Sequence, residues 1–291
     1  FMILIPRVDS LASAAQSTGP DKGRLLAYFQ NQQFAEAASY LASLRKTHPE
    51  NRHLTSLLGY TYYQAGNLTG AAGCFQGLYS TDSTDATALR YLGAIAVAQG
   101  NKADALKYYC RLAGLKPGVV STYKQLAGLW MSTGNQDAAC YYYRLAYSAG
   151  GQHDPETVSG LASGLITQEL FHRGDSILDA ALAEDSAQGE VLKTRIWSAY
   201  KQKHYTEIFP LVGKLQQMQD ITLAPFLYAA IGYYQMHRYK ECENTCAVMI
   251  LHQINSRSVL YLLALAYKEE KKYHLSLLTL DECIGDALSA D

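Results

Sequence analysis

Slid against itself, the chain repeats every 34 residues, and no other property narrows its fold so far. "LLGYTYYQAGN" from Leu57 returns as "YLGAIAVAQGN" from Tyr91 and, entered one residue later, as "LAGLWMSTGN" from Leu126. In this frame small residues stand at Ala37, Ala71, Ala105, Ala139, Gly174, Cys242 and Ser276, with Ile208 the exception. The steps are all 34 apart from one of 35, between Ala139 and Gly174. Four residues later come Leu41, Phe75, Tyr109, Tyr143, Leu178, Val212, Cys246 and Leu280, and three beyond those Leu44, Leu78, Leu112, Ala146, Ala181, Leu215, Met249 and Cys283. Spacings of four, three and seven place all three sets on one stripe of an α-helix.

A second helical pattern precedes each stripe: Leu58, Gly59 and Tyr62; Leu92, Gly93 and Ala96; Leu126, Ala127 and Trp130; Ala229, Ala230 and Tyr233; Leu263, Ala264 and Tyr267. "AGN" at Ala65, "QGN" at Gln99 and "TGN" at Thr133 break the two patterns apart. Each period therefore reads as helix, tight turn and helix. Glycine inside a helix costs about 1 kcal/mol relative to alanine, so Gly59 and Ala71 are expected to offset that cost by letting the two helices approach, with Tyr62 and Phe75 beside them.

The pattern resembles the tetratricopeptide repeat family, with Leu58, Gly59, Tyr62, Ala71 and Phe75 matching position by position and Pro49 and Pro117 where that family closes a repeat. Eight units are read, starting near Thr18, Arg52, Ala86, Val120, Pro155, Gly189, Leu223 and Arg257, preceded by an apolar segment over 1–17. The resemblance implies an all-α fold, an α-α superhelix in which antiparallel helix pairs stack into a right-handed solenoid. The fifth unit lacks the Leu-Gly pair, and the last three replace the turn glycine with Lys or His while keeping Tyr205, Tyr239 and Tyr273. The extra residue lies in "SAGGQHDP", where Gly150 and Gly151 end one helix and Asp154-Pro155 start the next. Pro210 falls inside a second helix and is expected to kink it.

Composition excludes several functions. Of 291 residues 48% are hydrophobic and 18% charged, with a net charge of −1, which gives a large core and no basic field for nucleic acid. No apolar run is long enough to span a bilayer. The opening "FMILIPRVDSLASAAQ" carries Ala12-Ser13-Ala14 before Gln16, like the end of a secretory signal, although Pro6, Arg7 and Asp9 interrupt it; an exported or periplasmic location is the expectation, a cytoplasmic one the alternative. Asn67-Leu68-Thr69 is a glycosylation sequon relevant only in a eukaryotic secretory pathway.

Catalytic signatures are missing: no phosphate-binding glycine loop, no GxSxG elbow and no HExxH, while "GLASG" at Gly160 has the wrong order and lies in a helix. The chain is read as no enzyme, with no cofactor and no metal. His237, Cys242, Cys246 and His252 form the best metal candidate, since Cys242 and Cys246 share a helix face. The repeat frame instead puts both thiols in the core.

What the resemblance implies about a site is a groove lined by the first helices of successive units. Carried over position by position, the groove residues are Tyr60, Tyr63, Arg90, Lys124, Met131, Lys193, Trp197, Tyr200 and Tyr234, with Lys201 beside them. Aromatic rings among cations suit an extended protein or peptide segment with apolar and acidic groups; packing between repeats is the competing use of the same tyrosines. The ninth positions are Tyr60, Ala94, Gly128 and Ser163, so the Lys–Asn clamp for a terminal carboxylate is missing. A scaffold or adaptor in a larger assembly is the first reading, and a recruiting arm of a larger enzyme the alternative. At the far end Leu275, Leu277, Leu278 and Leu280 surround the last helix without a polar cap, which predicts contact with a partner, a second copy or further chain.

Overall fold

The computed structural model describes residues 20–288, and the apolar segment over 1–17 lies outside them. Sixteen α-helices follow one another among the described residues, one odd- and one even-numbered helix for each sequence unit. They are α1 Lys22–Gln30 and α2 Phe34–Thr47; α3 Arg52–Gln64 and α4 Leu68–Thr81; α5 Ala86–Ala98 and α6 Lys102–Leu115; α7 Val120–Ser132 and α8 Gln136–Ser148. Then come α9 Pro155–Thr167 and α10 Phe171–Glu184; α11 Gly189–Lys201 and α12 Tyr205–Gln217; α13 Leu223–Gln235 and α14 Tyr239–Leu251; α15 Arg257–Glu269 and α16 Tyr273–Leu288. The fold is all-α, of the tetratricopeptide solenoid type.

Local chemistry sets the ends of these helices. The side chains of Asn51, Asn67, Asp85, Asn101, Asn135, Asp154 and Ser256 each accept from a backbone N–H two or three residues on, meeting donors that the first turn leaves open. The turn inside each repeat needs one left-handed residue. It is Gly66, Gly100 and Gly134 in the second to fourth repeats, and Gln32, Glu169, Lys203, His237 and Lys271 in the others, all with φ between 57° and 81°. The inserted residue is absorbed where Gly150 takes φ 110° and a short 3-10 turn, Gly151–His153, leads into α9.

Close approach explains the small residues. A Cβ on Gly59 would lie 2.9 Å from the Phe75 ring and 3.0 Å from Cys74, and one on Gly93 2.9 Å from the Tyr109 ring. Ala37, Ala71, Ala105 and Cys242 are fully buried at the equivalent small-residue position. Pro210 lies inside α12, which continues as α-helix on both sides of it.

The chain forms two compact units, one ending at Thr133 and the other beginning at Gly134. In the first, Leu25, Ala37, Leu41, Leu54 and Leu58 make one core cluster and Ala71, Phe75, Leu78, Leu92 and Ile95 the next. In the second, Val158, Ile166, Leu178 and Val191 make one, and a larger one runs from Leu192 through Phe226 to Ala266. Within each unit the odd-numbered helices also lie beside one another: α3 on α5, α9 on α11, α11 on α13, and α13 on α15. These contacts create the faces on which the sequence places its candidate residues.

Candidate functional site

The first-helix face of the first unit is an aromatic cluster with a free cation. Tyr60 on α3 stacks on Phe29 of α1, ring centroids 5.9 Å apart and 19° between planes. Tyr91 on α5 meets Tyr60 edge-on at 5.9 Å and Tyr63 edge-on at 5.8 Å, and its own face lies on Phe75 at 4.6 Å. Edge-to-face and offset pairs of this kind add to area burial and hold the rings at fixed angles. Burial pushes the Tyr91 phenol up to about 12; Tyr60 and Tyr63 add to the rise, and the Arg90 guanidinium opposes it. Burial also raises Tyr60. Arg90 is exposed, Lys124 is half-buried, and Met131 at the end of α7 is exposed at 51%.

The corresponding residues of the second unit are engaged internally. Lys193 Nζ lies 2.9 Å from Asp220 and 3.1 Å from Glu190. Burial works against its charge, yet the two carboxylates prevail and hold its pKa above the ordinary lysine value. Trp197 is half-buried against the cluster of Val158, Ile166, Leu178 and Val191. Tyr200 stacks on Tyr228 at 4.1 Å, and Tyr234 meets Tyr239 edge-on at 5.5 Å. Lys201, the last residue of α11, is exposed.

Sequence reasoning missed Phe29 and Tyr91, which knit the first cluster together. Tyr91 was legible as the aromatic at the place Leu57 holds one repeat earlier. It also missed Arg195 on α11, whose largely buried guanidinium reaches Asp179 at 2.9 Å, Glu207 at 2.8 Å and Asp175 at 3.7 Å. Gln202 donates to the other oxygen of Asp175 at 2.8 Å. Asp175 and Asp179 are four residues apart on α10, a spacing that could have flagged a shared cation.

Cys242 and Cys246 are both fully buried on α14. Contact with Cys242 and burial together drive the Cys246 thiol far above its ordinary value, the opposite of what a thiolate ligand needs. His237 turns to the Tyr239 hydroxyl at 2.7 Å. Among the described residues no group of three or more His, Cys, Asp or Glu is placed to hold a metal ion, and no helix is long and apolar enough to cross a membrane. At the far end Leu275, Leu277 and Leu278 are exposed at 44%, 63% and 53%, while Leu280 is half-buried.

Residues 23–86 match the family model for the tetratricopeptide repeat. No curated protein matches the sequence. Among solved structures, a tetratricopeptide repeat protein from Parabacteroides merdae is similar at 13% identity and TM-score 0.57, over 84% of this chain and 96% of that one. The pilF protein of Pseudomonas aeruginosa is similar at 14% identity and TM-score 0.56, over 77% of this chain and 98% of that one. The APC/C hetero-tetramer Cut9-Hcn1 contains a chain similar at 14% identity and TM-score 0.55, over 96% of this chain and 55% of that one. The 34-residue period, the helix pairs closed over Gly59 and Gly93, and these likenesses agree: the chain has the fold of tetratricopeptide repeat proteins, and residues 23–86 carry the family's sequence pattern.

Proposed function

We propose that the chain is a non-catalytic scaffold that holds an extended protein segment on the first-helix face of its first unit. The tetratricopeptide fold is generally a protein-interaction scaffold; the placement on this chain is our own reading. The observation that carries it is the cluster of Phe29, Tyr60, Tyr63 and Tyr91 beside Arg90. Its rings are already ordered by one another, so a ligand meets rigid aromatic area at little entropic cost. Arg90 is solvent-exposed and forms no ion pair among the described residues, in contrast to Lys193, whose charge Asp220 and Glu190 already occupy. A segment alternating apolar side chains with Asp or Glu fits that pairing of rings and cation.

Selection from a displayed library of random linear peptides tests the reading. The wild-type chain should enrich sequences that mix apolar or aromatic residues with acidic ones. Tyr60→Ala should weaken the selected peptide by about 1–2 kcal/mol, and Arg90→Glu should remove the acidic preference. Enrichment unchanged in both variants would move the site off this face.

A further inference from the structure

We infer that the exposed face of α16 binds the α16 of a second copy of this chain, antiparallel, about a two-fold axis passing between Leu277 and Leu278. Ser276, Thr279 and Cys283 are the buried side of α16, which packs on α15, with the Ser276 hydroxyl donating to the Ala264 carbonyl at 2.8 Å. At about 100° per residue, the line directly opposite that side is His274, then Leu277 and Leu278, then Asp281. All four are exposed.

The occupant follows from the order of residues along that line. "HLSLLTLD", His274 to Asp281, reads alike from either end in chemical class: Leu-Ser-Leu-Leu-Thr-Leu, flanked by a basic residue at the start and an acidic one at the close. A two-fold axis at its centre sets Leu277 of one copy against Leu278 of the other and His274 against Asp281, each pair occurring twice. An isologous interface has this requirement, one patch complementary to itself. A parallel pairing would instead set His274 against His274 and Asp281 against Asp281. Antiparallel helix dipoles favour the same arrangement.

The flanks of that line are apolar as well. Tyr273, Leu275 and Ile284 beside that line are exposed at 60%, 44% and 58%. This apolar surface is open to water in one copy, and a contiguous exposed apolar patch of this kind marks an interaction site.

Sedimentation velocity over a wide concentration range tests the proposal, with circular dichroism and a thermal melt confirming that each variant keeps the fold. The wild-type chain should show a monomer–dimer equilibrium. Leu278→Glu, at an exposed position, should raise the dimer dissociation constant by about 30-fold or more. His274→Asp and Asp281→His should each weaken the dimer by setting like groups against each other, and the double variant should restore it. A wild-type chain that stays monomeric, a dimer indifferent to Leu278→Glu, or a double variant no better than its two parents would each overturn the proposal, and the first two outcomes would assign the face to another protein or to the chain's own further residues. None of these outcomes touches the peptide reading, which rests on other helices.

Discussion

In the second to fourth repeats the turn is made by Gly66, Gly100 and Gly134; in the sixth to eighth the same turn is made by Lys203, His237 and Lys271, with φ of 61°, 60° and 63°. The two regions differ in their cations as well. Arg90 stands open beside a ring cluster, whereas Lys193 and Arg195 are closed into networks of carboxylates. The frame dictates the left-handed turn and the glycine does not: where helix packing is strong enough, an ordinary residue is held there at a cost of about 1–2 kcal/mol. Freedom of local sequence thus follows from tertiary contacts, and the earlier region keeps the more regular repeat while leaving Arg90 open to solvent.

Breaking each core tests whether the regions are equally well packed. Phe75→Ala in the first unit and Phe226→Ala in the second remove fully buried rings and should each cost about 3–5 kcal/mol in chemical denaturation. A loss confined to one of the two would show that the regions are not equivalent scaffolds. The closed and open cations should separate next. Arg195→Ala strands three carboxylates, two of them partly exposed and screened, and should cost about 2–3 kcal/mol, against less than about 0.5 kcal/mol for Arg90→Ala.

The turns give a smaller and opposite pair of effects. Gly100→Lys should lose about 1–2 kcal/mol, and His237→Gly should gain about 0.5–1 kcal/mol, read from the shift in thermal midpoint. The finest probe is Tyr91. Its folded pKa, about 12, lies above the ordinary 10.0, so burial favours the neutral phenol. Its contribution to stability is intact below pH 10 and is lost as pH rises from 10 through 12. Absorbance titration should find one phenol ionising near 12 that is missing in Tyr91→Phe, and Arg90→Ala should move it higher.

Much of the fold was legible because it is written eight times. The stripe through Ala71, Phe75 and Leu78 predicts the face that α4 buries, and Gly59 predicts a close approach that the structure places against Phe75. The candidate site was less legible. The frame marked Lys193 and Trp197 as it marked Tyr60 and Arg90, because position within a repeat says which helix face a residue occupies and nothing of the neighbours it meets there. Asp220, which pairs Lys193, is 27 residues further on, and Phe29, which stacks on Tyr60, is 31 residues earlier.

The sequence by itself determined the period, the helix pairs and which side of each helix is apolar, since 3.6 residues per turn converts spacing into a face without further information. It also carried the near-palindrome from His274 to Asp281. The tertiary structure alone decided which charges are spent and which are free. Ion pairing and ring stacking depend on distances between side chains of different helices, and helical periodicity does not encode those distances. Lys193 and Arg90 have the same place in the pattern of basic residues along the first helices; three ångströms to Asp220 separate their roles.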